Sequence, residues 1–236
     1  MSWAVRKALD LVRRGEWRGG ARFLLWALRE QWHEHRLGVR TGGNADHSAL
    51  GARPDECHEY EATSYSALAE VFRRVGPVAG AHEVLLDAGC GLGRVLGVAA
   101  RLPYDAVIGF DLSPALVTQA RRNLDAIRPR AVCRDLQVAV AAAGDYVVPD
   151  TVTVVFCFNP FRGATMAAFL AQVRASLRRR PRALRLVFVN PKHFNVATAP
   201  WLTMRDEFRV FDGRMGPTFD YHQTVRVFGN RAPDGA

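Results

Sequence analysis

Two carboxylates and three glycines form the densest group of chemically useful residues in the chain. Leu85-Leu86-Asp87-Ala88-Gly89-Cys90-Gly91-Leu92-Gly93-Arg94-Val95 reads as an apolar strand ending in an acid, a turn through glycines spaced two apart, and a return into a helix. Glycine is what such a turn needs where backbone N–H groups must approach a ligand closely. A second apolar strand, Val107-Ile108-Gly109-Phe110-Asp111, also ends in a carboxylate. It lies roughly 20 residues beyond the turn, where a ribose-binding acid belongs in a nucleotide-binding βαβ unit. Together the two segments predict a site for a nucleoside cofactor, whereas a glycine turn without a ligand leaves both acids unexplained.

The glycine spacing departs from the G-x-G-x-x-G of a dinucleotide site, and Asp87 just ahead of the turn would repel a pyrophosphate. An acid there suits a cofactor that carries an amine and a sulfonium. The pattern D-x-G-C-G-x-G-R resembles the first motif of the class I S-adenosylmethionine-dependent methyltransferases. The resemblance implies S-adenosyl-L-methionine as cofactor. Gly89, Gly91 and Gly93 would pass close to its methionine part, Asp87 would act near the amino end, and Asp111 would hold the ribose hydroxyls with Leu112 beside it. The family's adenine-binding acid after the third strand aligns here with Ala141-Ala142-Ala143, so adenine would rest on backbone groups near Ala142 and on apolar packing.

A further strand, residues 151–158, ends in Asn159-Pro160-Phe161. Ligands of open α/β sheets bind beyond the carboxyl ends of the strands. Asn-Pro-Phe resembles the (Asn/Asp)-Pro-Pro-(Tyr/Phe) motif of class I enzymes that methylate amine or amide nitrogen, with one proline missing. By that resemblance Asn159 and the carbonyl at Pro160 would accept hydrogen bonds from the target nitrogen, and Phe161 would stack on the acceptor. The alternative is a turn in which proline merely ends the strand. Tyr60-Glu61-Ala62-Thr63-Ser64-Tyr65-Ser66 resembles the Tyr-x-Pro-Thr-x-Tyr-Ser segment of a bacterial group of mostly uncharacterised class I methyltransferases, with Ala62 in place of proline; the likeness runs from Gly38-Val39-Arg40-Thr41-Gly42-Gly43 to Asn190-Pro191. It implies that Tyr60 and Thr63 close over the cofactor; otherwise Thr63 or Ser64 simply caps a helix. His193, beyond the fifth strand, is the candidate general base, which transfer to a hydroxyl requires and transfer to a neutral amine does not. His58 and His222 are weaker candidates.

Around these residues the periodicity alternates between two and 3.6, which predicts a Rossmann-like α/β domain: a doubly wound, mostly parallel sheet of seven strands with an antiparallel C-terminal hairpin. The spacing predicts a helix over 65–75, strand 83–88, helix 92–102, strand 106–111, helix 114–127, strands 136–141 and 152–158, helix 163–179 and strand 184–190. Strands over 207–212 and 218–229 close the sheet, with Phe219, Tyr221, Val225 and Val227 alternating. Ser113-Pro114 is a helix-start signal, serine as N-cap and proline at the first helical position. Residues 1–58 read as a helical N-terminal extension followed by a loop from Gly38 to His58, a cap or lid, and 59–236 as the catalytic domain. The extension is amphipathic, carries Trp3, Trp17, Trp26 and Trp32, and is expected to break near Gly15 and at Gly19-Gly20. It suits a cap on the core, a homodimer contact or a membrane surface.

A net charge of +9 invites a nucleic-acid partner. The positive charge is nearly all arginine, lysine occurring only at Lys7 and Lys192, and no basic stripe interleaves with aromatics; a solvated basic surface is the reading adopted. Cys57, Cys90, Cys133 and Cys157 lack C-x-x-C spacing and a histidine cluster, so no metal is expected and the thiols read as buried and reduced. Without a bilayer-length apolar run or signal-peptide layout, a cytoplasmic protein is expected. The function expected is methyl transfer from S-adenosylmethionine to an amine or amide nitrogen of a small molecule or protein lysine. The alternatives are an O-methyltransferase acting on a sugar or secondary metabolite, and a degenerate module that keeps the fold without the activity.

Overall fold

In strands buried on both faces, alternate residues must serve two separate cores, and the central strands here are built that way. The computed structural model describes residues 10–42, 62–191, 194, 199–212 and 222–230, and the backbone of 44–45 and 60–61. Its sheet consists of β1 (Val84–Ala88), β2 (Ala106–Asp111), β3 (Asp135–Val140), β4 (Val154–Phe158), β5 (Arg185–Val189), β6 (Leu202–Phe211) and β7 (His222–Asn230), in the spatial order β3-β2-β1-β4-β5-β7-β6. The first five are parallel, and β7 enters antiparallel between β5 and β6. Leu85, Val107, Phe156 and Val187 face one core; Leu86, Ile108, Val155 and Leu186 face the other.

Helices α2 (Tyr65–Val75), α3 (Arg94–Ala99) and α4 (Pro114–Ile127) cover the first face through Leu68, Val71, Val95, Leu96, Leu124 and Ile127. Helix α5 (Gly163–Arg179) covers the second through Phe169, Leu170 and Val173. Ser64 caps α2 by accepting from Ala67 N at 3.2 Å, and Ser113 caps α4 by accepting from Leu116 N at 3.3 Å. Strand order therefore reverses between β1 and β4, and the glycine turn and the Asn-Pro-Phe segment leave the sheet side by side.

The N-terminal region differs from expectation. The chain does turn at Gly15, with φ of 82°, but helix α1 (Trp17–Leu37) runs unbroken through Gly19 and Gly20. Each glycine costs a helix about 1 kcal/mol relative to alanine; both are buried here, and burial of that helix face outweighs propensity. Gly38 ends α1 in the left-handed conformation, with φ of 71°, and Val39 N donates to Glu34 O at 3.0 Å. Of the expected loop, residues 39–42 are described: Val39 and Thr41 are buried, and Asn44–Ala45 pairs antiparallel with Tyr60–Glu61. Strand β6 begins five residues earlier than expected, held by its ladder with β7 across a bulge at Met204 and Asp206. Trp3, Cys57, His58, Phe219 and Tyr221 lie outside the described residues.

One buried cation joins these parts. Arg94, 6% exposed, opens α3 immediately after the glycine turn. Its Nη1 donates to Glu30 and, at 2.9 Å, to the Thr63 carbonyl; Nη2 reaches Glu34 at 3.0 Å and Nε reaches Thr41 Oγ1 at 2.8 Å. The guanidinium also lies 4.4 Å over the Tyr65 ring. Nearby, Asn123 of α4 donates to the Leu92 and Arg40 carbonyls at 2.8 and 2.9 Å and accepts from Arg40 N at 2.9 Å, pinning segment 39–42 to the glycine turn. Arg94→Met strands Glu30 and Glu34 without their counter-ion, and removing one partner of a buried pair costs about 3–5 kcal/mol. Urea unfolding should show a loss of that size for Arg94→Met and recovery of most of it when Glu30→Gln and Glu34→Gln are added; a loss below about 1 kcal/mol would mean that solvent reaches the network.

Candidate functional site

The site lies at the carboxyl ends of β1, β2 and β4. Gly89, Gly91 and Gly93 all take positive φ, at 74°, 52° and 79°. At Gly89 the close approach is explicit: a Cβ would fall 2.6 Å from Pro160 Cβ. That contact brings together the glycine turn and the Asn-Pro-Phe segment, which are separated by some seventy positions in sequence. The turn is hung from β2, Gly89 N and Cys90 N both donating to the Phe110 carbonyl at 3.0 and 2.9 Å.

Asp87 and Asp111 face this turn in contrasting states. Asp87 is 2% exposed, and its Oδ2 has no hydrogen-bond partner among the described residues. Burial, reinforced by the neighbouring Asp111 charge, pushes its carboxyl well above the usual carboxylate range. An acid left unpaired in a buried position is costly unless a cationic or donor group meets it. Asp111 accepts from Gly91 N and Ser113 N, each at 2.9 Å, which pulls its carboxyl down, yet burial still raises it overall. Two carboxylate oxygens offer about four lone-pair sites, so Asp111 retains capacity for hydroxyl donors. Leu112, 39% exposed, projects beside it. Just past β3, Ala141 N donates to the Asp111 carbonyl at 3.0 Å, which holds that end against β2, and Tyr146 N donates to the Ala142 carbonyl at 3.0 Å, which closes a turn over residues 142–146.

Asn159 takes φ of 41° and Asn190 φ of 54°, both left-handed, at the ends of adjacent strands β4 and β5 and each followed by proline. Non-glycine residues held in this region cost roughly 1–3 kcal/mol and cluster at functional sites. Asn159 and Pro160 are half-buried beside the glycine turn. Phe161 is placed otherwise than as an open stacking surface: it is 6% exposed, with its ring 5.5 Å from Phe169 in the second core. Thr63 is buried and its carbonyl is bound by Arg94. The Tyr60 side chain and all of His193 lie outside the described residues.

Sequence reasoning missed the Arg94 network, whose partners are up to 64 residues away; the signal was an acidic i,i+4 pair, Glu30 and Glu34, on a helix otherwise dominated by arginine. It also missed Tyr146, whose ring stacks on Phe110 at 4.3 Å beneath the Ala142 loop. Among the described residues no group of His, Cys, Asp or Glu could hold a metal ion, and no helix is long and apolar enough to cross a membrane. Cys90, Cys133 and Cys157 are buried and free.

Residues 85–180 match the family model described as a methyltransferase domain. No curated protein matches the chain. Among solved structures, the StiE O-MT aligns with a TM-score of 0.55 at 12% identity, over 73% of this chain and 75% of its own. A protein from work on the conversion of a disulfide bond into a thioacetal group during echinomycin biosynthesis aligns at 0.50 and 20% identity, over 68% of this chain and 80% of its own. A TehB-like SAM-dependent methyltransferase from Corynebacterium glutamicum gives 0.48 and 18% identity, over 71% and 89%. The first two likenesses show the Rossmann-like fold. Residues 85–180 are thus similar to a methyltransferase domain, and the glycine turn can be tested against S-adenosylmethionine, the methyl donor its motif implies. The residues fit that molecule: a buried carboxylate oxygen with no partner among the described residues for a cation, Gly89 where no side chain fits, and a second carboxylate with free acceptor capacity.

The sign of a pH effect follows from Asp87. Its ordinary value is 3.8 and its folded value lies well above, so the folded state binds more protons than the unfolded state between the two. This group's contribution to stability therefore falls as pH rises from about 4 through the folded value. Melting temperatures of the ligand-free protein across this range should fall less with pH in Asp87→Asn than in the wild type. Parallel melting profiles would show that Asp87 is not the titrating group.

Proposed function

We propose that the chain is an S-adenosylmethionine-dependent methyltransferase that delivers its methyl group to an amine or amide nitrogen, on a small molecule or a protein lysine. The observation that supports this reading is Asn159, left-handed at the end of β4, with Pro160 packed against Gly89. The Asn159 amide oxygen and the adjacent backbone carbonyl are both acceptors, which suits an N–H donor whose lone pair must be aimed. Asp87 would take the cofactor's ammonium group, Gly89, Gly91 and Gly93 would carry backbone past its methionine part, and Asp111 would hold the ribose hydroxyls. Leu112 and the Ala142 backbone would flank the adenine, with Tyr60 and Thr63 on the approach. In this reading residues 59–236 are the catalytic domain and 1–58 its cap.

When bound, the cofactor supplies an electrophilic methyl on a sulfonium, displaced in line with departure of a neutral thioether. The protein's part is then mostly orientation and exclusion of water, which can supply a large share of the acceleration. A neutral amine brings its own lone pair, so no side chain must remove a proton before attack, and the proton leaves the product ammonium to water. Transfer to a hydroxyl would need a base, for which His193 is the candidate.

Calorimetry with S-adenosylmethionine and a screen of amines for release of the thioether product test this. Asp111→Ala should weaken cofactor binding by roughly 10- to 100-fold, the scale of a charge-assisted hydrogen bond. Asn159→Gly keeps a residue that accepts positive φ while removing the side chain. It should reduce turnover by about 10²-fold, a typical penalty for a lost positioning contact, with little change in cofactor affinity. If affinity falls as far as turnover, Asn159 supports the cofactor rather than the acceptor. If hydroxyl compounds are methylated and His193→Ala abolishes this, the nitrogen reading is wrong.

A further inference from the structure

Helix α1 is oriented with an apolar stripe facing outward. Trp17, Leu25, Leu28 and Trp32 are 62%, 60%, 53% and 53% exposed, and at 100° per residue they fall within one quarter of the helix circumference. Leu25, Leu28, Arg29, Gln31, Trp32 and His35 line a shallow open groove along it. Arg18, Arg22, Arg29 and Arg36 are exposed along one flank of this stripe, Arg18 over Trp17 and Arg36 over Trp32, each at 5.1 Å.

The acids of this helix explain its charge. Between residues 17 and 37 the sequence has two, Glu30 and Glu34, and both turn inward to Arg94. The exposed face is left with apolar, neutral polar and cationic groups and no acid, and none of its four arginines is ion-paired among the described residues. A second copy of the same face would offer these arginines no carboxylate. A surface of phosphate-bearing lipid supplies both what the stripe and what the flank lack: an apolar layer and negative charge at the same depth. Tryptophan and arginine at a helix surface are the groups that settle at such a boundary.

We propose that the outer face of α1 docks on an anionic membrane surface, lying in its plane with Trp17, Leu25, Leu28 and Trp32 toward the acyl chains and the arginines among the headgroups. This goes beyond the methyl-transfer reading and does not depend on it. Because the opposite face of the same helix is bound to Arg94 at the start of α3, docking would hold the glycine turn at a fixed position relative to the lipid.

The test is flotation of the full chain with vesicles of phosphatidylcholine alone or mixed with phosphatidylglycerol, at low and high salt. The wild type should float with the anionic vesicles, weakly with the neutral ones, and less at high salt. Leu28→Glu with Trp32→Glu should bind at least about tenfold less, with unchanged circular dichroism and unchanged S-adenosylmethionine affinity. Should that variant unfold, glutamine at the four exposed arginines carries the test, with the same loss expected on anionic vesicles. Absence of wild-type flotation, equal binding to both vesicle types, or a wild-type dimer that dissociates in the Leu28→Glu, Trp32→Glu variant would overturn the proposal, the last assigning the face to a second copy.

Discussion

The guanidinium of Arg94 is the constraint on which the glycine-turn end of the molecule depends. It sits where the glycine turn becomes a helix, and it binds at once the helix α1, the segment at Thr41 and the entry to α2 at Thr63 and Tyr65. Burial raises the carboxyl of Glu30 above its ordinary range even though Arg94 and the Tyr65 N–H both pull it down, so desolvation outweighs attraction at that group. A buried pair of this kind adds little stability over a well-packed apolar substitute, but its loss leaves charges stranded. Its effect is geometric: three segments remote in sequence can meet the glycine turn in one arrangement.

That arrangement lets the site carry unfavourable features locally. Asp87 keeps a buried oxygen without a partner among the described residues, the three glycines hold left-handed backbone, and Asn159 and Asn190 do the same without being glycine. The unpaired acid and the two left-handed asparagines are disfavoured in isolation, and their concentration at the ends of β1, β4 and β5 is what a site shaped in advance of a ligand requires. The cores on either side of the sheet hold these strand ends still. Pro160 against Gly89 shows how tightly: a single methyl at Gly89 would force the two strand ends apart.

Much of this was legible in the sequence because the signals were local. The bounds of α2, α4, α5 and β2 follow from alternation, from serine caps at Ser64 and Ser113, and from Pro114 at the first turn. The glycine turn was legible because three glycines spaced two apart after an apolar strand demand a tight, positive-φ turn. What was illegible depends on partners distant along the chain. Gly19 and Gly20 stop a helix by propensity, but burial keeps α1 intact. The start of β6 at Leu202 is set by its register with β7 and not by its own mixed pattern. Phe161 continues a motif toward the acceptor when read as text, yet its ring packs on Phe169.

The same reasoning accounts for the two faces of α1. Read as a wheel, the helix has enough tryptophan and leucine to bury a wide face, and the ordinary expectation is that its most apolar side meets the core. The core side instead takes Gly19, Gly20, Phe23, Ala27 and Leu37 together with Glu30, because Arg94 needs a carboxylate there and a carboxylate fixes rotation more strictly than a leucine does. Once Glu30 and Glu34 are turned inward, Leu25, Leu28 and Trp32 have to point out. The outward apolar stripe is therefore a consequence of how the glycine turn is braced: the ion pair that orders the site also determines which surface the helix presents.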